Sequence, residues 1–133
     1  MFCLPLLISS LGPSLGLAAD PDEKARAASW WKGNLHTHSL WSDGDEFPEM
    51  IADWYRERDY HFLALSDHNV LSEGKRWMSL KDIVRRSDEG IVDRYRERFG
   101  DAWVETREEP KTGEPQVRLK PLNEFRCLVE SAG

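Results

Sequence analysis

Apolar and polar positions follow several different rhythms along the chain, and each rhythm predicts an element. Residues 2 to 19, FCLPLLISSLGPSLGLAA, carry no charge and run straight into the polar DPDEKAR. SWWKGNLHTH, from Ser29 to His38, reads as a strand with Trp30 and Trp31 anchoring its start and Leu35 packed inward. SLWSDGDEFP reads as a loop, with Asp43-Gly44 as a turn signal. Pro48 suits the first turn of a helix, and Asp45, Glu46 and Glu49 suit its positive end. Phe47, Met50, Ile51, Trp54 and Tyr55 fall at i, i+3, i+4, i+7 and i+8, which predicts an amphipathic helix ending near Asp59 with Trp54 on its core stripe. Phe62, Leu63, Ala64 and Leu65 form an unbroken apolar run, the pattern of a strand buried on both faces of a parallel sheet. Strand, loop, helix and strand make a βαβ unit.

Beyond Asn69 the rhythm weakens. Residues 72 to 80 read as a loop or short helix. Ile83, Val84, Ile91, Val92, Tyr95 and Phe99 predict a helix over 81–99, with Gly90 a point where it can break and Gly100 at its C-terminal end. DAWVETREEPKTGEPQVRLK reads as a hairpin around a Pro/Gly turn. PLNEFRCLVE starts on proline and shows helical spacing at Leu122, Phe125, Leu128 and Val129.

Composition narrows the function class. The chain has 133 residues, 40% of them hydrophobic and 32% charged, which is ordinary for a soluble globular domain or part of a larger one. Its net charge is −6, and its basic residues are interleaved with acids, so no nucleic-acid partner is expected. The uncharged leader ends in small residues and reads as a secretory signal over 1–19, cleaved near Ala18 or Ala19. Residues 20–29 then form a linker, and the mature protein is secreted or periplasmic. No Lys or Arg follows Met1, and Gly12, Pro13 and Gly16 interrupt the run, which suits a membrane span even less. The two cysteines, Cys3 and Cys127, form no CxxC pair, so a thiolate zinc site is not expected. With the leader removed Cys127 is alone, and a buried, inert thiol is its default.

The candidate chemistry lies at the ends of the two leading strands. Side chains two apart on a strand share a face, so His36 and His38 point together while Thr37 points away. Asp43 sits on a loop that can fold back over the same edge. His68 follows the neighbouring strand, and Asp67, beside it, points the other way in an extended chain. Neutral imidazoles and carboxylates are metal donors, and parallel α/β sheets build their sites at this C-terminal edge. His36, His38, Asp43 and His68 are therefore candidate metal ligands, with Asp67 as an orienting or bridging carboxylate. His61 precedes its strand, at the opposite end, and is structural or exposed. Ser39 and Ser42 are turn hydrogen-bonders rather than nucleophiles, since GxSxG is absent. GxGxxG and GxxxxGK[ST] are absent too, so phosphate-loop chemistry has no support.

HTHSLWSDG and LALSDHN, in this order and spacing and with an amphipathic helix between them, resemble the first two motifs of the PHP family, the polymerase and histidinol phosphatase metallohydrolases. The resemblance covers about residues 30 to 70 well and the remainder weakly. It implies an α/β fold, a distorted (β/α)7 barrel holding two or three divalent ions, zinc, manganese or iron. It implies hydrolysis of a small phosphorylated substrate by metal-activated water. His36 and His38 match ligands of one ion, Asp43 and His68 ligands of another, and Asp67 a catalytic-motif residue beside them. The family uses further ligands from later motifs, whereas this chain has no histidine after His68. The expectation is thus the N-terminal part of a truncated barrel over 30–133, with the 133 residues alone inactive. A degenerate, non-catalytic PHP-like binding or scaffold module is the competing expectation, and hydrolysis of an amide or another ester is a third.

Overall fold

A computed structural model describes residues 30–129 of the chain, with no side-chain detail at 128 and 129. The expected signal and linker lie outside the described residues. By its contacts the chain divides after Trp30, and the unit from Trp31 onward carries every element named below. The fold is mixed α/β. Strand β1 (Gly33–Thr37) is followed by α1 (Pro48–Arg56), β2 (Phe62–Leu65), β3 (Arg76–Ser79), α2 (Leu80–Arg86) and α3 (Ile91–Phe99). A 3-10 turn (Asp101–Trp103), β4 (Thr106–Glu108), β5 (Pro115–Leu119) and α4 (Leu122–Val129) complete it.

The strands form two small sheets. β1 and β2 pair in parallel, with α1 as the crossover, so the βαβ unit is present. Both β1 and β2 keep an outer edge with no strand beside it among the described residues. The second sheet is antiparallel in the order β3-β5-β4. The hairpin read at 101–120 is therefore there, but residues 76–79, read as loop or short helix, add a third strand against β5. Arg76 to Ser79 show no clean alternation, so their pairing partner rather than their own pattern makes the strand. The helix expected over 81–99 is two helices. Asp88 accepts from Gly90 N at 2.7 Å and receives both guanidinium nitrogens of Arg94, and this local knot displaces the helical ladder between α2 and α3.

The buried core lies between the antiparallel sheet, α2, α3 and the loop after β1. Leu40, Trp41, Phe47, Ile83, Ile91, Tyr95, Val117 and Leu119 form it, with Phe47 and Tyr95 rings stacked at 4.1 Å. α1 is fastened to α3 by Arg98, which grips Asp53 at 2.5 and 2.8 Å and also reaches Glu57.

Four side chains depart from their expected places. Leu35 is 74% exposed rather than packed inward. The register steps from Asn34↔Leu63 to Thr37↔Leu65, so three steps on β1 answer two on β2. One extra residue resets the inside-outside alternation. Trp54 is exposed rather than on a core stripe, and its ring carries the Arg58 guanidinium at 3.9 Å. Cys127 is exposed, not buried. β2 is only half-buried, and Phe62 is exposed, because a groove between α1, β2 and α4 leaves one face open. Trp30 and Trp31 are also exposed, with Trp31 edge-on to His61.

Candidate metal centre

The extra residue in β1 shapes the site. Asn34 spans the irregularity: its amide nitrogen donates to Thr37 Oγ1 (2.9 Å) and Tyr55 Oη (2.5 Å), and its carbonyl oxygen accepts from His36 N (3.1 Å). Thr37 is held to β2 by its N–H on Ser66 Oγ and by Ser66 N on its carbonyl. With Asn34 and Thr37 tied, His36 and His38 project from the same strand end. Their Nε2 atoms lie 2.8 Å apart. One of those nitrogens donates and the other accepts, the roles following from the tautomers.

The loop from Ser39 to Glu46 is rigid because it is anchored at both faces. Leu40 and Trp41 plug into the core, and the Trp41 indole N–H donates to Lys120 O at 3.0 Å. Ser39 O accepts from both Ser42 N and Gly44 N, and Leu40 N donates to Glu46 O. The Arg86 guanidinium donates to Ser42 O. This folds Asp43 back to the strand edge, where Oδ1 lies 2.9 Å from His38 Nδ1 and Oδ2 lies 3.7 Å from His68 Nε2. The His38 and His68 rings meet at 4.2 Å. Donor atoms of His38, Asp43 and His68 all fall within 4.8 Å of one another. His36 joins them only through His38.

Asp67 is not in that cluster. Its carboxylate accepts from Ser39 N (2.8 Å), Ser39 Oγ (2.8 Å) and Ser42 Oγ (2.7 Å), so it bolts the end of β2 to the Asp43 loop. It acts as a positioning residue, in keeping with the reading of Ser39 and Ser42 as turn hydrogen-bonders. His61 lies at the far end of β2, where Nδ1 accepts from Lys32 N at 2.9 Å.

What desolvation there is pushes the Asp43 carboxyl up. The Ser42 hydroxyl and the charges available to His38 and His68 outweigh it and hold the group below the usual carboxylate range. Asp43 is thereby kept anionic, the form in which it is a metal donor.

Two imidazoles and one carboxylate are a donor set suited to zinc, manganese or iron. One donor atom from each of the three lies within 4.8 Å of the others, a grouping that could hold one divalent cation once the donors draw together to its bonding distance. Asn34 and Arg86 are supporting residues that the sequence did not single out. Asn34 reaches Tyr55 and Arg86 reaches Ser42 across 21 and 44 residues, separations that no spacing rule covers. Family models, curated proteins and solved structures return no match to this chain.

Proposed function

We propose that His36, His38, Asp43 and His68 hold divalent metal in a hydrolase of the PHP type, acting on phosphoesters, with the β1–α1–β2 unit as one part of a distorted (β/α)7 barrel. The single observation carrying this reading is the convergence of His38, Asp43 and His68, from the segments that follow two adjacent parallel strands, at the C-terminal edge of those strands. The unpaired outer edges of β1 and β2 and the half-open face of β2 support the barrel, because each is where a barrel places its next strand or helix. The motifs HTHSLWSDG and LALSDHN support the family.

A divalent cation, when bound, supplies positive charge that acidifies water and offsets the charge of a phosphoryl group. The chain's own residues do the rest. His38 and His68 present nitrogen lone pairs, and Asp43 brings the anionic charge that favours a cation over a proton. Ser42 and Asp67 hold the Asp43 loop against the strand ends. The exposure of Asp43 and His68 leaves the site open to a substrate from solvent.

Calorimetric titration with Mn2+ and assay with p-nitrophenyl phosphate and bis-p-nitrophenyl phosphate test the reading. His38→Ala and Asp43→Ala are expected to weaken Mn2+ binding by at least about 100-fold, since even an outer-shell partner is worth roughly 10–100-fold. Equal Mn2+ binding by the wild type and both variants sinks the site assignment. Turnover of either ester by the Mn2+-loaded chain, lost in both variants, would exclude the non-catalytic binding module.

A further inference from the structure

A shallow cleft is lined by the metal donors Asp43 and His68 together with Trp41, Val70 and Arg76. We propose that Arg76 seats a phosphoryl oxyanion of the substrate in this cleft, next to the metal. The proposal rests on the metal-centre reading above and assigns a substrate-binding residue to it.

Three observations carry it. The first is position: Arg76 lines the same cleft as Asp43 and His68. The second is rigidity. Arg76 opens β3 and its backbone is registered opposite Leu119 on β5, while the adjacent Lys120 carbonyl holds the Trp41 indole. The guanidinium lies 5.5 Å from the centre of that buried indole, within cation–π range. Platform and cation are thus fixed to the same stretch of chain. The third is that its charge is unanswered. Arg94, Arg98 and Arg118 each grip carboxylates, whereas Arg76 has no carboxylate within ion-pair distance among the described residues. Asp43, in the same cleft, is engaged by His38 and His68 instead.

A guanidinium stays charged at any physiological pH and offers donors in a plane that matches two oxygens of a phosphoryl group. The cleft also holds the negative Asp43, so an anion there is favoured only when a cation offsets that carboxylate. A cation held by His38, Asp43 and His68 would offset that carboxylate, and Arg76 would then take phosphoryl oxygens. An uncharged ester or an amide has no use for this arginine.

The test uses the full 133-residue chain. Mn2+ alone is titrated first into wild type, Arg76→Gln and Arg76→Lys. Phenylphosphonate, which has no ester to cleave, is then titrated into each Mn2+-loaded protein by calorimetry. Mn2+ affinity is expected to be the same in all three. Phenylphosphonate is expected to bind about tenfold more weakly to Arg76→Gln, and roughly threefold more weakly to Arg76→Lys, which keeps the charge but loses the planar fork. Equal phenylphosphonate affinity in wild type and Arg76→Gln, with Mn2+ binding intact, overturns the anion seat and leaves the metal centre standing. So does a Mn2+-loaded wild type that binds no phenylphosphonate. If Arg76→Gln loses Mn2+ binding by misfolding, the lysine variant decides: weaker phenylphosphonate supports the seat, and wild-type affinity overturns it. A wild type that binds no Mn2+ removes the metal centre and the seat together.

Discussion

Gly44 shows how much of the site depends on single atoms. A Cβ placed on it would lie 2.5 Å from the His38 carbonyl oxygen and 2.6 Å from Ser39 N, both backbone atoms that cannot swing aside. Gly44→Ala must therefore push the Asp43 loop away from the strand end. The expected outcome is a loss of about 1–3 kcal/mol of stability by denaturant titration, the usual cost of overpacking, together with weakened Mn2+ binding. Unchanged values for both would show that the loop does not sit against His38 as described. The Asp-Gly pair was legible in the sequence as a turn. Its reason was not, because the demand on Gly44 comes from the proximity of His38 rather than from a left-handed backbone. The same holds for Asp67: its place beside His68 was legible, but its partners Ser39 and Ser42 belong to a different strand end, 25 to 28 residues away.

At the scale of an element, α1 carries a carboxylic acid into the core. Glu49 is fully buried, its Oε1 accepts from Tyr95 Oη at 3.1 Å, and its Oε2 has no hydrogen-bond partner. Burial raises its pKa to about 7, against the lowering effects of a backbone N–H, Tyr95 and Lys120. Burial and the same carboxylate also push the Tyr95 hydroxyl up. A carboxyl that binds its proton more tightly folded than unfolded favours the folded state at low pH. That stability is fully present below the unfolded value near 4.5 and is lost as pH rises through about 7. Unfolding of the wild type is therefore expected to become easier between pH 5 and 8 relative to Glu49→Gln, by roughly 3 kcal/mol in all. Parallel pH profiles of the two proteins, from urea denaturation, would refute this. In the sequence Glu49 reads as a first-turn acid complementing the helix dipole, and it does occupy the first turn of α1. That it points into the core rather than to solvent follows from Phe47 and Tyr95 packing around it, which periodicity alone does not reveal.

At the scale of the whole molecule, the two sheets are unequally covered. The antiparallel sheet lies against the core, while the β1–β2 ribbon keeps both outer edges unpaired among the described residues and leaves Leu35 and Phe62 exposed. Unpaired edges and exposed apolar side chains promote association. The chain is expected to self-associate with rising concentration in light scattering, and Leu35→Lys combined with Phe62→Lys is expected to shift it toward monomer. No helix of the described residues is long and apolar enough to cross a membrane. The sequence by itself determined the βαβ unit, the proline-started α1 and the strand-end addresses of His36, His38 and His68, because these depend on local periodicity and on the backbone geometry of short segments. Only the tertiary structure decided that 76–79 is a strand, that 81–99 is two helices, that Leu35 faces out and that Arg76 shares a cleft with Asp43. Those outcomes depend on pairing partners, on one extra residue in a parallel register and on contacts between segments dozens of residues apart, none of which leaves a periodic trace in the chain.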